Sequence, residues 1–356
     1  MEIRENVLLA PYTTFRIGGP ARWFMEATNE AELAEAVTFA RGQHVELFVL
    51  GGGSNLLVAD KGFPGVVVKV GLKGLREQPD GPFTIFTAAA GENWDNFVQH
   101  TVDRDLAGVE CMAGIPGTVG GTPVQNVGAY GQEVCSTIVS VRALDRTTTR
   151  MADFSGTACN FAYRRSIFNS TSRDRYIVTE VSYRLRAHGT PHLAYPELAQ
   201  VFGGRPAPKL SAVSRTVREL RRKKGMLLVE GDANCRSAGS FFKNPVVSES
   251  LLADISARMT KEANLAGLPQ AESIPYFAAD KGTVKLLAGW LIERAGFPRG
   301  FALGQAGISS KHTLAIVNRG DATAASILAL RDQIRQRVLA QFGILLEQEP
   351  VYVSGG

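Results

Sequence analysis

What this 356-residue chain lacks narrows it first. It has four cysteines, Cys111, Cys135, Cys159 and Cys235, far apart and without a C-x-x-C pair. That excludes a zinc ribbon and a disulfide framework and fits a reducing compartment. Four of its five histidines, His44, His100, His188 and His192, show no metal-ligand spacing, so no metal site is expected. No apolar run is long enough to span a bilayer, and the charged start Met1-Glu2-Ile3-Arg4-Glu5 has no signal-peptide core. The chain therefore reads as cytoplasmic and free of membrane. A strong charge of one sign is also missing: 39 Lys and Arg against 34 Asp and Glu leave +5. The densest basic run is only Arg221 to Lys224, so nucleic acid is disfavoured, whereas an acidic small substrate suits the balance. No heptad pattern or repeat is present, which leaves a monomer as the expectation.

Two familiar phosphate loops are absent as well. There is no Gly-Lys-Ser/Thr of a P-loop. The buried-type strand Val45 to Leu50 does run into Gly51-Gly52-Gly53-Ser54-Asn55, where consecutive glycines could converge main-chain N–H groups on a phosphate. The residues just after it, Leu56 to Asp60, read as strand, whereas a Rossmann turn opens a helix. Either this is a plain glycine hairpin or it holds a pyrophosphate in another fold. A second glycine-rich stretch, Gly114 to Gly131, is too apolar for a linker and describes an ordered loop packed against something flat or phosphorylated.

Periodicity supplies the frame around these loops. Asn29 and Glu32 read as a capping box for a helix burying Leu33, Ala36, Val37 and Ala40. Glu92 to Leu106 reads as a helix with Trp94, Phe97, Val98 and Val102 inward. Strands are expected at 65–70, 83–87, 137–144, 176–186 and 313–317. Helices are expected at 212–224, 248–259, 285–295 and 322–342, the last capped by Asp321. Tyr163-Arg164-Arg165-Ser166-Ile167-Phe168 sets two arginines among apolar residues, which is costly unless an anion pairs with them. Ala238-Gly239-Ser240-Phe241-Phe242-Lys243-Asn244-Pro245 holds a hydroxyl between glycine and two phenylalanines, with a charge and an amide just beyond. On local grounds it is a turn into a core strand or a positioned hydroxyl.

Taken together and in order, the 51–55 loop, Ile115-Pro116-Gly117, Gln125 to Gly131, Tyr163 to Phe168, Ala238 to Pro245 and Leu346-Glu347-Gln348-Glu349 resemble the UDP-N-acetylenolpyruvoylglucosamine reductase family. The resemblance spans nearly the whole chain. It implies an α+β fold: an FAD-binding domain of the vanillyl-alcohol-oxidase-like (PCMH) type followed by an α/β substrate-binding domain. A lead-in at 1–16 would precede the FAD domain at 17–186, itself split near 70–80. A tyrosine loop and linker at 187–210 marks the subtype in which a tyrosine covers the substrate. The substrate domain would occupy 211–356.

The resemblance also assigns roles. Non-covalent FAD, reduced by NADPH, would contact Gly51, Gly52, Gly53, Ser54, Asn55, Ile115, Pro116, Gly117, Gln125, Asn126, Gly128, Ala129 and Tyr130. The substrate, a UDP-sugar bearing an enolpyruvyl ether, would be held by Tyr163, Tyr195, Lys224, Asn244 and His312. Hydride addition leaves an enolate-like charge, which Arg164 and Glu349 would stabilise. Ser240 would then give the adjacent carbon its proton, as an acid rather than a nucleophile. Two features depart from relatives. His312 stands where some carry an amide, and no arginine lies two residues beyond Glu349.

Overall fold

The computed structural model describes residues 1–204, 206–265 and 273–355, with the side chains of 262–264 left aside. The first layer is a four-stranded sheet in the order β1-β2-β5-β3, built from β1 (Ile3–Leu8), β2 (Pro20–Ala27), β3 (Leu47–Leu50) and β5 (Phe63–Val70). β1 runs antiparallel to β2, while β2 and β3 both run parallel to β5. α1 (Glu30–Gly42) covers this sheet with the apolar face that its sequence prescribes: Leu33, Ala36, Val37 and Ala40 are buried. Asn29 caps it by accepting from Glu32 N–H at 3.0 Å. The reciprocal half of the expected capping box lands one residue earlier, because the Glu32 carboxylate accepts from Thr28 N–H at 2.6 Å.

The second layer is an antiparallel sheet of β6 (Leu75–Asp80), β7 (Phe83–Ala89), β11 (Ile138–Asp145), β12 (Arg150–Ser155) and β13 (Tyr176–Ala187), in the order β12-β11-β13-β7-β6. A two-residue strand, β8 (Leu106–Ala107), also pairs with β13. α2 (Trp94–Asp103), shorter at both ends than its periodicity predicts, buries Trp94, Phe97 and Val98. Phe97 lies 5.3 Å from the Phe86 ring and 4.9 Å from Tyr183. Such aromatic pairs add about 1 kcal/mol each beyond the area they bury. Between the sheet's halves, β9 (Gly128–Ala129) and β10 (Gln132–Glu133) form a small hairpin.

α3 (Pro196–Phe202) and α4 (Leu210–Lys223) follow. α4 was expected to open the substrate domain, yet it buries Leu210, Val213 and Val217 in the core of the two N-terminal layers. The remaining chain builds a second core from two three-stranded sheets and three helices. One sheet joins β14 (Val246–Ser248), β15 (Tyr276–Ala278) and β16 (Thr283–Leu286); the other joins β17 (Ala302–Leu303), β18 (Ala306–Ile308) and β19 (Ile316–Asn318). The helices are α5 (Glu249–Leu265), α6 (Ala288–Arg294) and α7 (Ala324–Phe342).

Here the expected helix 285–295 is corrected. Val284 and Leu286 are buried as β16, which pairs on both sides with β14 and β15, and the helix begins only at Ala288. The cap of α7 is also corrected. Thr323, not Asp321, accepts from Ser326 N–H, and the Asp60 carboxylate adds bonds from Ala324 and Ala325 N–H at 2.7 and 3.0 Å.

Two crossings tie the cores together. Phe15, Ile17 and Leu57 pack into the C-terminal core. In return β20 (Val351–Val353) runs parallel to β4 (Leu56–Val58), the strand that leaves the first glycine loop. Among the described residues no helix is long and apolar enough to cross a membrane.

Candidate active site

The first glycine loop is fixed by contact with the second. A Cβ on Gly52 would sit 2.5 Å from Gly117 Cα, so the two loops touch main chain to main chain. Gly53 is left-handed at φ +64°, and a Cβ there would meet Tyr12 O at 1.8 Å. No other residue type fits either position without moving the backbone. The consequence is chemical. Among the described residues, the main-chain N–H groups of Gly52, Gly53, Ser54 and Asn55 donate to no protein acceptor. A run of uncommitted donors on a closed loop suits a pyrophosphate.

Asn55 joins three of the motifs. Its Nδ2 donates to Gln125 Oε1 at 2.6 Å and to Glu349 O at 3.3 Å, while its own carbonyl accepts from Val351 N–H at 2.9 Å. Thr14 does similar bridging. It donates its N–H to Gly53 O at 3.1 Å and its hydroxyl to Ser237 O at 2.6 Å.

Asn126 is different from what was expected of it. Fully buried, it donates to Glu133 Oε2 and Ala162 O and accepts from Cys135 N–H, so its side chain braces the loop that carries it. Gly128 and Ala129 form β9, Tyr130 turns the hairpin at φ +49°, and Ile115 and Pro116 are half-buried beside Gly117.

Arg164 sits at a tight turn in which Ala162 and Arg165 exchange both main-chain hydrogen bonds. Its φ is +55°, a left-handed conformation that costs an ordinary residue about 1–2 kcal/mol. Strain of that kind persists where surrounding structure enforces it. The guanidinium donates from Nη2 to Gly128 O at 3.0 Å, and Nε lies 2.9 Å from Glu349 Oε1. This last contact is an ion pair whose N–H is not aimed at the oxygen, since Nε has no hydrogen-bond partner among the described residues. Tyr163 lies beneath two cations, with its ring 5.3 Å from the Arg164 guanidinium and 4.8 Å from Lys285 Nζ.

Glu349 and the serine stretch are positioned by one piece of antiparallel pairing. Glu349 N–H donates to Phe241 O at 2.9 Å, Phe242 bridges Gln348, and Lys243 N–H donates to Glu347 O at 3.0 Å. Phe241 and Phe242 are buried in the C-terminal core, which fixes this pairing from below. Ser240 is thus the residue next to the one bonded to Glu349. Its hydroxyl, half-buried, makes no hydrogen bond among the described residues. Lys243 is committed to Glu347 Oε2 at 3.2 Å. Burial raises the Glu349 carboxyl above its ordinary range, and the charges of Arg164 and then Lys243 pull it back.

A second cluster adjoins the first through the β9–β10 hairpin. The Tyr130 and Tyr195 rings meet edge to face at 5.2 Å, and Lys224 Nζ lies 5.3 Å from the Tyr130 ring. Lys224 pairs with Glu197 Oε2 at 2.5 Å. His312 faces both of them; burial first, then Lys224, lowers its pKa to about 4, so it is neutral at physiological pH. Asn244 lies apart from these charges in one respect: its Oδ1 accepts from Ala288 N–H at 3.0 Å and closes the start of α6.

Sequence reasoning missed Glu197 and Arg221. Arg221 is half-buried, with Nη2 on Met226 O and Nε inaccessible and unpartnered, and burial lowers its pKa. The unpartnered Nε of this cation, beside Gly114 and near Tyr130, is a further reason to expect an anionic or polar ligand between the loops. A cleft of about 600 Å³ lined by Leu251, Asp254, Arg258 and Phe342 shares no residue with either cluster.

An α+β chain with these loops is a flavoprotein: residues 21–152 match the FAD binding domain family. Residues 231–353 match the C-terminal domain of UDP-N-acetylenolpyruvoylglucosamine reductase. The chain is 46% identical over 355 residues to the UDP-N-acetylenolpyruvoylglucosamine reductase of Thermobifida fusca, covering 98% of each chain. It is 44% identical over 350 residues to that of Streptomyces coelicolor, covering 97% of this chain and 89% of that protein. The crystal structure of the Thermus caldophilus reductase superposes with a TM-score of 0.65 at 26% identity over 99% of each chain. The chain belongs to the UDP-N-acetylenolpyruvoylglucosamine reductase family and is an oxidoreductase.

Proposed function

We propose that this enzyme uses NADPH to convert the enolpyruvyl ether of UDP-N-acetylglucosamine into UDP-N-acetylmuramate, a step of peptidoglycan synthesis in the cytoplasm, and that it acts as a monomer. The observation that carries the reading is the juxtaposition of Arg164, Glu349 and the Ser240 stretch: an ion pair at 2.9 Å whose acid is main-chain bonded to the residue after Ser240.

The 51–55 donors and the 115–117 and 125–130 loops would hold FAD, which would supply the hydride. Every other demand falls on side chains of this chain. Arg164 holds the substrate carboxylate and counters the negative charge that develops beside it. Glu349, raised by burial, is suited to hold a proton or to share one as that charge grows. Ser240 presents an uncommitted hydroxyl to the carbon that must be protonated. An alcohol is a weak acid, so its proton leaves most readily when a cation or a relay restores it. Lys243 bonds Glu347 and not Ser240, which favours the Arg164–Glu349 pair as the source of that field. Tyr195, Lys224, His312 and the Asn244 amide nitrogen grip the UDP end, and Tyr163 shields the carboxylate from water.

The test is the visible spectrum. Purified protein should be yellow, bleach with NADPH, and recover colour when the UDP-enolpyruvyl sugar is added. Absence of sugar-dependent NADPH loss would refute the reading. Ser240→Ala should bleach normally but recover at least about a hundredfold more slowly.

A further inference from the structure

The lysine assigned to the substrate phosphates is already taken by a carboxylate of the same chain. Glu197 stands in the first turn of α3, one residue after the proline that follows Tyr195. Its Oε2 lies 2.5 Å from Lys224 Nζ, and both side chains keep about a third of their surface. Around them lie Tyr130 under the ammonium, Tyr195 against Tyr130, and His312, which burial keeps neutral, with Arg221 near Tyr130 and Arg299 and Glu293 near His312 as the further charges. Among the described residues neither Glu197 nor Lys224 makes a second ion pair, so each depends on the other for its countercharge. α3 packs on the core through Leu198, Tyr195 and Phe202, while the Glu197 side chain keeps about a third of its surface, so the carboxylate can swing away from Lys224 without unpacking a core.

We propose that Glu197 is an internal stand-in for the ligand's phosphates: it neutralises Lys224 in the free enzyme, and a diphosphate must displace it to bind. This rests on the reading of Lys224 above. It makes Glu197 a positioning residue that weakens binding of diphosphate ligands. Both UDP-sugar and NADPH carry such a group, so one displacement would govern entry and release of each. A stand-in of this kind holds Lys224 over Tyr130 when no ligand is bound, and it keeps release fast in a cleft that must empty between substrates.

The test measures UDP affinity by the shift it produces in the flavin spectrum, with inorganic pyrophosphate as the simplest competitor. Glu197→Gln keeps the shape and removes the charge; it should tighten UDP about fivefold, the worth of an ion pair of ordinary strength. In a Lys224→Met background the same substitution should change UDP affinity by less than a factor of about 1.5. Unchanged or weaker UDP binding in Glu197→Gln overturns the proposal and makes the carboxylate a brace for α3. Equal tightening in both backgrounds also overturns it, since the effect would then not pass through Lys224. Sugar-dependent NADPH loss is measured on the same wild-type sample. Intact turnover with no Glu197 effect removes this inference alone, whereas absent turnover and absent UDP binding remove the reading of the site beneath it.

Discussion

Arg164→Met keeps an unbranched side chain at residue 164 and removes the charge together with its N–H donors. Four contacts go: the bonds to Gly128 O at 3.0 Å and Asn126 O at 3.5 Å, the pair with Glu349 at 2.9 Å, and the stacking on Tyr163 at 5.3 Å. The left-handed strain stays, because methionine tolerates φ +55° no better than arginine. A hydrogen bond from a charged donor is worth about 1.5–3 kcal/mol, so we expect stability to fall by about 2 kcal/mol. Turnover should suffer more. Loss of one oriented donor at a developing oxyanion costs about 2.7–4 kcal/mol, or about 10²–10³ in kcat.

The pH dependence of stability should shift as well. Burial holds the Glu349 carboxyl above its ordinary range, so the folded chain keeps a proton that the unfolded chain has released, and stability falls as pH rises through that interval. Arg164 supplies the largest opposing pull; without it the interval extends to higher pH, and urea midpoints at pH 5 and 8 should diverge further than in wild type. Stopped-flow absorbance separates the half-reactions: bleaching by NADPH should be nearly unchanged and recovery with the UDP-sugar slow. A folded, yellow Arg164→Met enzyme that recovers within tenfold of wild type would refute the role given to this arginine.

Other outcomes rest on single contacts. Gly53→Ala drives a methyl group into Tyr12 O and should cost about 3 kcal/mol, so the protein should purify with little flavin absorbance. Asp60→Ala removes two bonds at the start of α7 and should lower stability by about 1–2 kcal/mol in urea titration while the specific activity stays within twofold. His312, depressed from 6.5 to about 4, takes up a proton on unfolding between those values, so wild-type stability should drop as pH falls through that window. In His312→Gln this slope should flatten; an identical slope would mean that the histidine is not buried as described.

The parts of the fold that a pattern can carry were legible. α1 buries the four residues its spacing selects, because a one-faced helix must turn that stripe to the sheet. β6 was invisible: all but one of its residues are exposed and it contains Pro79, which an edge strand tolerates and a pattern search rejects. β16 was misread as helix because a short apolar run has no period of its own, and the partners that decide it, β14 and β15, lie elsewhere in the chain. In the site, the motifs named the residues but not what they already touch. Asn126 and the Asn244 carbonyl are spent on internal bonds, and Glu197 carries no motif at all. The Asn55–Glu349 link spans 294 residues, a separation at which only the folded chain can bring two groups together.

That separation has a bearing on how the enzyme is made. Among the described residues β4, directly after the first glycine loop, has no pairing partner but β20, and Glu349 stands just ahead of it. During synthesis the loop emerges early and then waits, with one strand unpaired, until residues 349–353 leave the ribosome. The acid, the brace on Asn55 and the closing strand therefore arrive together, long after the loop they complete. Flavin capture before that moment would rest on an open loop. We expect a chain stalled before residue 349 to bind FAD far more weakly than one that extends past β20, so acquisition of the cofactor and completion of the catalytic pair are coupled in time.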